Sequence, residues 1–171
     1  NYRELIKDNL FWKSIWNTLY FTVLSVPVNI ILGIIIALLL NSKIRFIGLY
    51  RTVFFIPTLV PVVATATVWR WLLDSNYGII NSLLNKVGLA SIPWLASENW
   101  SKLALVMIAS WGIGQAIIIN LAGLQDISPE YYEAAQIDGA GIFQRVRHIT
   151  LPLLTPVIFY NVVMGVINAL Q

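Results

Sequence analysis

The chain has 171 residues, 58% of them hydrophobic and only 11% charged, with a formal net charge of +3. Soluble domains carry roughly 25% charged residues, so this composition, with a mean hydropathy of +0.75, excludes an ordinary soluble domain and points to a membrane protein. The Lys and Arg residues are scattered and not gathered on one face, which speaks against nucleic-acid binding, and without cysteine there are neither disulfides nor thiolate metal sites.

The opening residues mix acids and bases with Tyr2, Phe11, Trp12 and Trp16, an amphipathic approach to a membrane with aromatic side chains at the interface. Four apolar stretches follow, at residues 15–40, 54–73, 103–124 and 151–170, with Arg70 near the end of the second as their single charge. Each can hold the ~20 apolar residues that cross a hydrocarbon core. Backbone in lipid must satisfy its own hydrogen bonds, so each stretch is expected to be helical and the fold all-α, a polytopic transmembrane bundle. Simple anchors have no use for Asn17, Pro27, Asn29, Pro57, Pro61, Gln115, Asn120, Pro156, Asn161 and Asn168. Helices that pack against each other or line a wet path tolerate such residues.

The loop after the first span holds Lys43, Arg45 and Arg51 and no acid. The second span ends at Trp69-Arg70-Trp71, from which Arg70 can snorkel to the interface. Residues 74–101 form a longer loop with a short interfacial helix expected over 79–87, where Ile79, Ile80, Leu83, Leu84 and Val87 share one face. With four spans, the loops at 41–52 and 125–150 share one side, and the N-terminal piece and the 74–102 loop share the other. Lys43, Arg45, Arg51, Arg145 and Arg147 on the first side balance Arg3, Lys7, Lys13, Lys86 and Lys102 on the second. The positive-inside rule therefore does not decide, although the acid-free loop leans cytoplasmic. The start, Asn1-Tyr2-Arg3-Glu4, is neither a methionine start nor a signal-peptide n-region, and Gln171 follows a span with no flanking charge; the chain is expected to be a segment of a longer membrane protein.

The polar insert at residues 125–150 carries the densest pattern. Ser128 can cap a helix whose first residue is Pro129, with Glu130 and Glu133 where the N-terminal dipole favours acids. That helix is expected over 129–137, ended by Gly139-Ala140-Gly141, since glycine adopts the left-handed conformation that closes helices. A second helix follows, with Ile142, Phe143, Val146 and Ile149 on one face and Gln144, Arg145 and Arg147 on the other. A solvated loop resting on headgroups has a similar composition. Paired alanines beside a tight glycine turn, however, let another protein's backbone approach closely.

The run Ile127-Ser128-Pro129-Glu130-Tyr131-Tyr132-Glu133-Ala134-Ala135-Gln136-Ile137-Asp138-Gly139-Ala140, followed by Ile149-Thr150-Leu151-Pro152, resembles the EAA loop of bacterial ABC importer permeases. Phe54-Phe55-Ile56-Pro57, Val68-Trp69-Arg70-Trp71, Tyr77-Gly78, Leu121-Ala122-Gly123-Leu124-Gln125 and Asn17-Thr18-Leu19 are similar to the sugar-uptake branch, the maltose and glycerol-phosphate permeases. The resemblance implies a type I importer permease fold in a bacterial plasma membrane, with residues 12–171 a partial transmembrane domain and residues 1–11 an extracytoplasmic approach segment. It implies that Glu133, Ala134, Ala135, Asp138 and Gly139 form the helix that couples to a cytoplasmic ATPase subunit. A second permease subunit, an extracytoplasmic solute-binding protein and further spans on both sides of this segment are also implied. ATP would be bound by the partner, so no cofactor is expected in this chain.

The absences agree with a transport subunit and not an enzyme. No Gly is followed by Lys, so there is no P-loop, and Gly112 with Gly114 and Gly139 with Gly141 lack the third glycine of a dinucleotide fingerprint. Glu130 and Glu133 have no third group beside them to suggest catalysis, and the single histidine, His148, argues against a metal site. An ion-coupled transporter would want an ionisable group at mid-membrane, and no acid lies within a span. For Trp111, Gln115, Asn120, Asn161 and Asn168 two readings stay open: the wall of a substrate path, or hydrogen bonding between helices.

Overall fold

The computed structural model describes residues 5–42 and 45–171, so Tyr2 of the approach segment and Lys43 of the basic loop lie outside the described residues. Helix α1, Asn9–Leu40, starts where Asp8 accepts a hydrogen bond from the Leu10 N–H at 2.8 Å and runs through Pro27 without ending. It therefore includes the end of the approach segment as well as the first span. At 1.5 Å per residue it is about 48 Å long, well beyond the ~30 Å of a hydrocarbon core.

The second span is not one helix. Helix α2, Ile47–Leu59, and helix α3, Val62–Leu72, meet at 99°. The cause is Pro61: it has no N–H to continue the ladder, and it forces Val60 into an extended conformation (φ −76°, ψ 128°). The third span is also divided, into α5, Ser101–Trp111, and α6, Gly114–Gln125, with a bend of 53° at Gly112 and Ile113. Between the two broken spans lies α4, Ile79–Lys86, the expected interfacial helix. Only part of its apolar face is covered: Ile80 and Leu84 pack inward, while Leu83 and Val87 remain exposed.

After α6 come α7, Pro129–Ile137, and α8, Ile142–Arg145, which passes through a π-helical turn, Val146–Thr150, directly into α9, Leu151–Leu170. The last span thus begins inside the polar insert and not at Leu151. Ile142–Leu170 is one helix of 29 residues, apolar and long enough to cross a membrane. Together with α1 and the two bent pairs, this makes up to four crossings among the described residues.

The core lies where α1, α6 and α9 meet, around Ala37, Leu40, Ile117, Leu121, Leu124 and Leu154. Tyr132, Ile149 and Ile47 pack on its edge, so the basic loop and the polar insert sit at the same end of the bundle. At the other end, Lys13 pairs with Glu98 at 3.3 Å and the Lys102 ammonium lies 4.7 Å from the centre of the Tyr20 ring. There Asn81, 2% exposed, holds the 74–94 loop. Its two amide N–H groups donate to the Ile92 carbonyl at 2.9 Å and to the neighbouring Asp74 and Ser75 carbonyls, which share one proton, and its oxygen accepts from the Ile92 N–H and the Trp94 indole.

Helix α6 packs through glycine. A Cβ on Gly114 would lie 2.5 Å from the Phe54 carbonyl oxygen of α2, and one on Gly123 would lie 2.7 Å from Val157 of α9. Small residues permit this approach where lipid offers no hydrophobic drive to association. Replacing Gly114 by valine should cost about 1–3 kcal/mol by overpacking and lower the melting temperature of the detergent-solubilised protein. Gly112→Ala, where no atom lies within 4 Å of the added carbon, should leave it nearly unchanged; equal losses in the two variants would refute the contact argument.

Candidate functional site

Two places bring polar side chains together: a cavity among the spans and an elbow at one end of the bundle. The cavity, about 340 Å³, opens beside the α5–α6 bend between α1 and α9. Gln115 of α6 and Asn161 and Asn168 of α9 line it, so three of the sequence-derived residues converge. Asn120 does not reach the cavity. It is fully buried behind Asn161, whose Nδ2 donates to Asn120 Oδ1 at 3.0 Å. The Nδ2 of Asn120 is buried without a partner and lies 3.2 Å from where a Cβ of Gly33 would be. Trp111 stands apart, its ring edge-on to Trp69 with centroids 5.8 Å apart.

The structure adds residues the sequence reading did not single out for this wall. Ser25 and Asn29 of α1 and Tyr160 of α9 also line it. Ser110 Oγ is 2.8 Å from Asn29 Oδ1 and 2.8 Å from the Val106 carbonyl, and its single proton can go to either. Ser25 and Asn29 are four apart, the spacing that places two side chains on one helix face, and that signal was legible.

The elbow is built from local chemistry. Ser128 Oγ accepts from the Glu130 N–H, and the helix closes with two backbone bonds, Ala140 N–H to Ala135 O at 2.8 Å and Gly139 N–H to Gln136 O at 3.0 Å. This pairing needs a left-handed residue, which Gly139 supplies at φ +78°. Gln144 Oε1 then accepts from the Gly141 N–H at 2.8 Å and starts the next helix. The Tyr132 and Thr150 hydroxyls, 3.0 Å apart, tie α7 to the π-turn.

Glu133, Ala134, Asp138 and Gly139 are exposed and Ala135 is half-buried. Ile137 (88% exposed) and Phe143 (91%) are also uncovered in the elbow. Beneath, a groove of about 380 Å³ is lined by Ala135, Asp138, Gly139, Gln144, Arg145 and His148. The Arg145 Nε is buried there without a partner.

The family model for the binding-protein-dependent transport system inner membrane component matches residues 29–171. A probable ABC transporter permease protein of Pyrococcus horikoshii is 38% identical, covering 90% of this chain and 54% of its own length. The sulfoquinovosyl glycerol transport system permease protein of Agrobacterium fabrum is 36% identical over 100% of this chain and 56% of its own. The trehalose/maltose transport system permease protein of Thermococcus litoralis is also 36% identical, over 100% and 58% respectively. The chain thus spans a little over half the length of the relatives it matches. Among solved structures, a bacterial ABC transporter involved in the import of the acidic polysaccharide alginate superposes with a TM-score of 0.87 at 28% identity, covering 96% of this chain and 58% of that one.

At Gly139 nothing lies within 4 Å of an added carbon, so the demand there is conformational and not steric. Gly139→Ala should cost the elbow about 1–2 kcal/mol and speed amide exchange across residues 135–141 at least roughly five-fold, with Gly139→Asn closer to wild type. Unchanged exchange in the alanine variant would contradict this.

Proposed function

The chain belongs to the family of binding-protein-dependent transport system inner membrane components, with the all-α, multi-pass fold of ABC importer permeases, and on that premise we propose that it forms part of the translocation path of an ATP-driven sugar importer. In this reading the chain is a transport subunit that has no ATPase site of its own. The cavity bounded by α1, α6 and α9 is a segment of the path. The surface of Glu133, Ala134, Ala135, Asp138 and Gly139 docks on a cytoplasmic ATPase subunit, which places the elbow in the cytoplasm.

One observation carries the reading: α8 of the elbow and the cavity-lining Asn161 and Asn168 belong to the same continuous helix, Ile142–Leu170. A helix transmits displacement along its axis, so movement of the elbow reaches the cavity wall without an intervening loop. When ATP closes a pair of ATPase subunits, the elbow moves with them and α9 shifts against α1 and α6. The bundle then exchanges inward for outward access, a two-state element biased by nucleotide. A second permease subunit completes the path, and a solute-binding protein delivers cargo at the end held by Asn81.

The test is substrate-stimulated ATPase activity and uptake by the complete transporter in proteoliposomes, over a panel of sugars and glycerol phosphate esters. Gly139→Trp should insert normally yet lose ATPase association or stimulation; coupling that survives it would rule out docking through the elbow. Asn168→Leu, in a side chain that lines the cavity, should change the KM for uptake by about ten-fold, the effect of one lost hydrogen bond of ~1.4 kcal/mol. Unchanged kinetics in both Asn168→Leu and Asn161→Leu would leave these amides to helix packing.

A further inference from the structure

The reading of the cavity as a transport path leaves open what class of cargo it takes, and the cavity's own chemistry bears on that. Its polar wall consists of Ser25, Asn29, Gln115, Tyr160, Asn161 and Asn168, and no Lys, Arg, His, Asp or Glu is among the described residues that line it. The lining helices are nearly as bare. Helices α6 and α9 carry no charged residue at all, α1 carries only Lys13, and α5 only Lys102. Both lysines are held at the end of the bundle, Lys13 against Glu98 and Lys102 over Tyr20.

Helix ends could in principle replace charged side chains, because an N-terminus favours anions. Here the N-terminal end of α6 meets the C-terminal end of α5 across the Gly112–Ile113 break. The two ends carry opposite partial charges, so the break offers no net positive site.

We propose that this cavity selects uncharged, hydroxyl-rich cargo, a neutral sugar, and turns away anionic sugars bearing a carboxylate. Each amide and hydroxyl in the wall can both donate and accept, which matches hydroxyl groups that do the same. The Asn120 bond takes one Nδ2 proton of Asn161 and leaves that side chain's oxygen free to accept. Tyr160 and Phe21 provide aromatic surface for the apolar faces of a sugar ring. A carboxylate entering the same space would surrender hydration with no opposite charge to replace it, which is costly away from water. In this respect the cavity is suited to a different cargo from the acidic polysaccharide carried by the transporter that its fold resembles.

This inference rests on the path reading, and the experiment separates the two. Equilibrium binding of radiolabelled maltose and lactose, and of the same disaccharides with a hydroxymethyl oxidised to carboxylate, is measured on the complete transporter in nanodiscs. The binding protein is left out, so that its own selectivity does not contribute, and nucleotide-free and ATP-trapped states are both used. The expected result is at least ten-fold tighter binding of a neutral sugar than of its acid. Asn168→Lys and, independently, Gln115→Lys should narrow or reverse that ratio at low ionic strength. Equal or tighter binding of the acid by the wild type, or a ratio unmoved by both lysine variants, would overturn the proposal alone. Binding of neither class would overturn the path reading and the proposal with it.

Discussion

A single amide pair sets the register of the bundle. Asn120 on α6 and Asn161 on α9 bond at 3.0 Å, and Gly33 on α1 is the residue whose lack of a side chain lets the Asn120 amide lie against that helix. The magnitudes say what kind of constraint this is. Hydrogen bonds between transmembrane helices are worth about 0.6 kcal/mol on average, whereas a buried N–H left without a partner costs about 1–3 kcal/mol. Asn120 makes the first and suffers the second, so the pair contributes little net stability. Its effect is on alignment: sliding α9 past α6 by a turn would break the bond and leave two unpaired amides in an apolar core. The attraction holding the helices together comes from the close contacts at Gly114 and Gly123.

The same alignment positions the cavity. Asn161 has one edge against Asn120 and lines the open space, so its orientation is fixed from behind. The α5–α6 bend lies beside the cavity, with Gly112 and Gln115 in its wall. On the far side of α6, the backbone of α2 lies too close to Gly114 for a methyl group. Helix α6 is thus packed against α1, α2 and α9, and Gln115 near its start faces the cavity.

What could be read from the sequence was what local chemistry determines. The bounds of α7 follow from Ser128, Pro129 and Gly139, three residues whose preferences need no tertiary contact, and the structure starts and ends that helix where they indicate. The four apolar stretches were visible as gaps between charges, but a gap does not show a bend. Pro61 was in plain view, yet Pro27 and Pro156 are tolerated inside unbroken helices, so proline alone did not say which span would divide. The start of the last span was misplaced because polarity and helicity part company there: Gln144, Arg145 and Arg147 are polar residues of a helix that continues into lipid. Among the polar residues of the spans, the choice between lining a cavity and bonding a neighbour depends on how α1, α6 and α9 face one another. Asn120 and Asn161 differ in that respect alone, and no pattern within either helix records it.

The π-turn at Val146–Thr150, where the Leu151 N–H reaches back to the Val146 carbonyl, gives the last helix one residue more than an α-helical count allows. One residue is about 100° of azimuth, so the elbow face and the cavity face are out of phase by that angle compared with an unbroken helix. Thr150, whose hydroxyl lies near both the Arg145 carbonyl and the Tyr132 hydroxyl, sits at the point where the phase is offset. Loss of the extra residue would rotate α9 by that angle relative to the elbow, changing which side chains face the cavity.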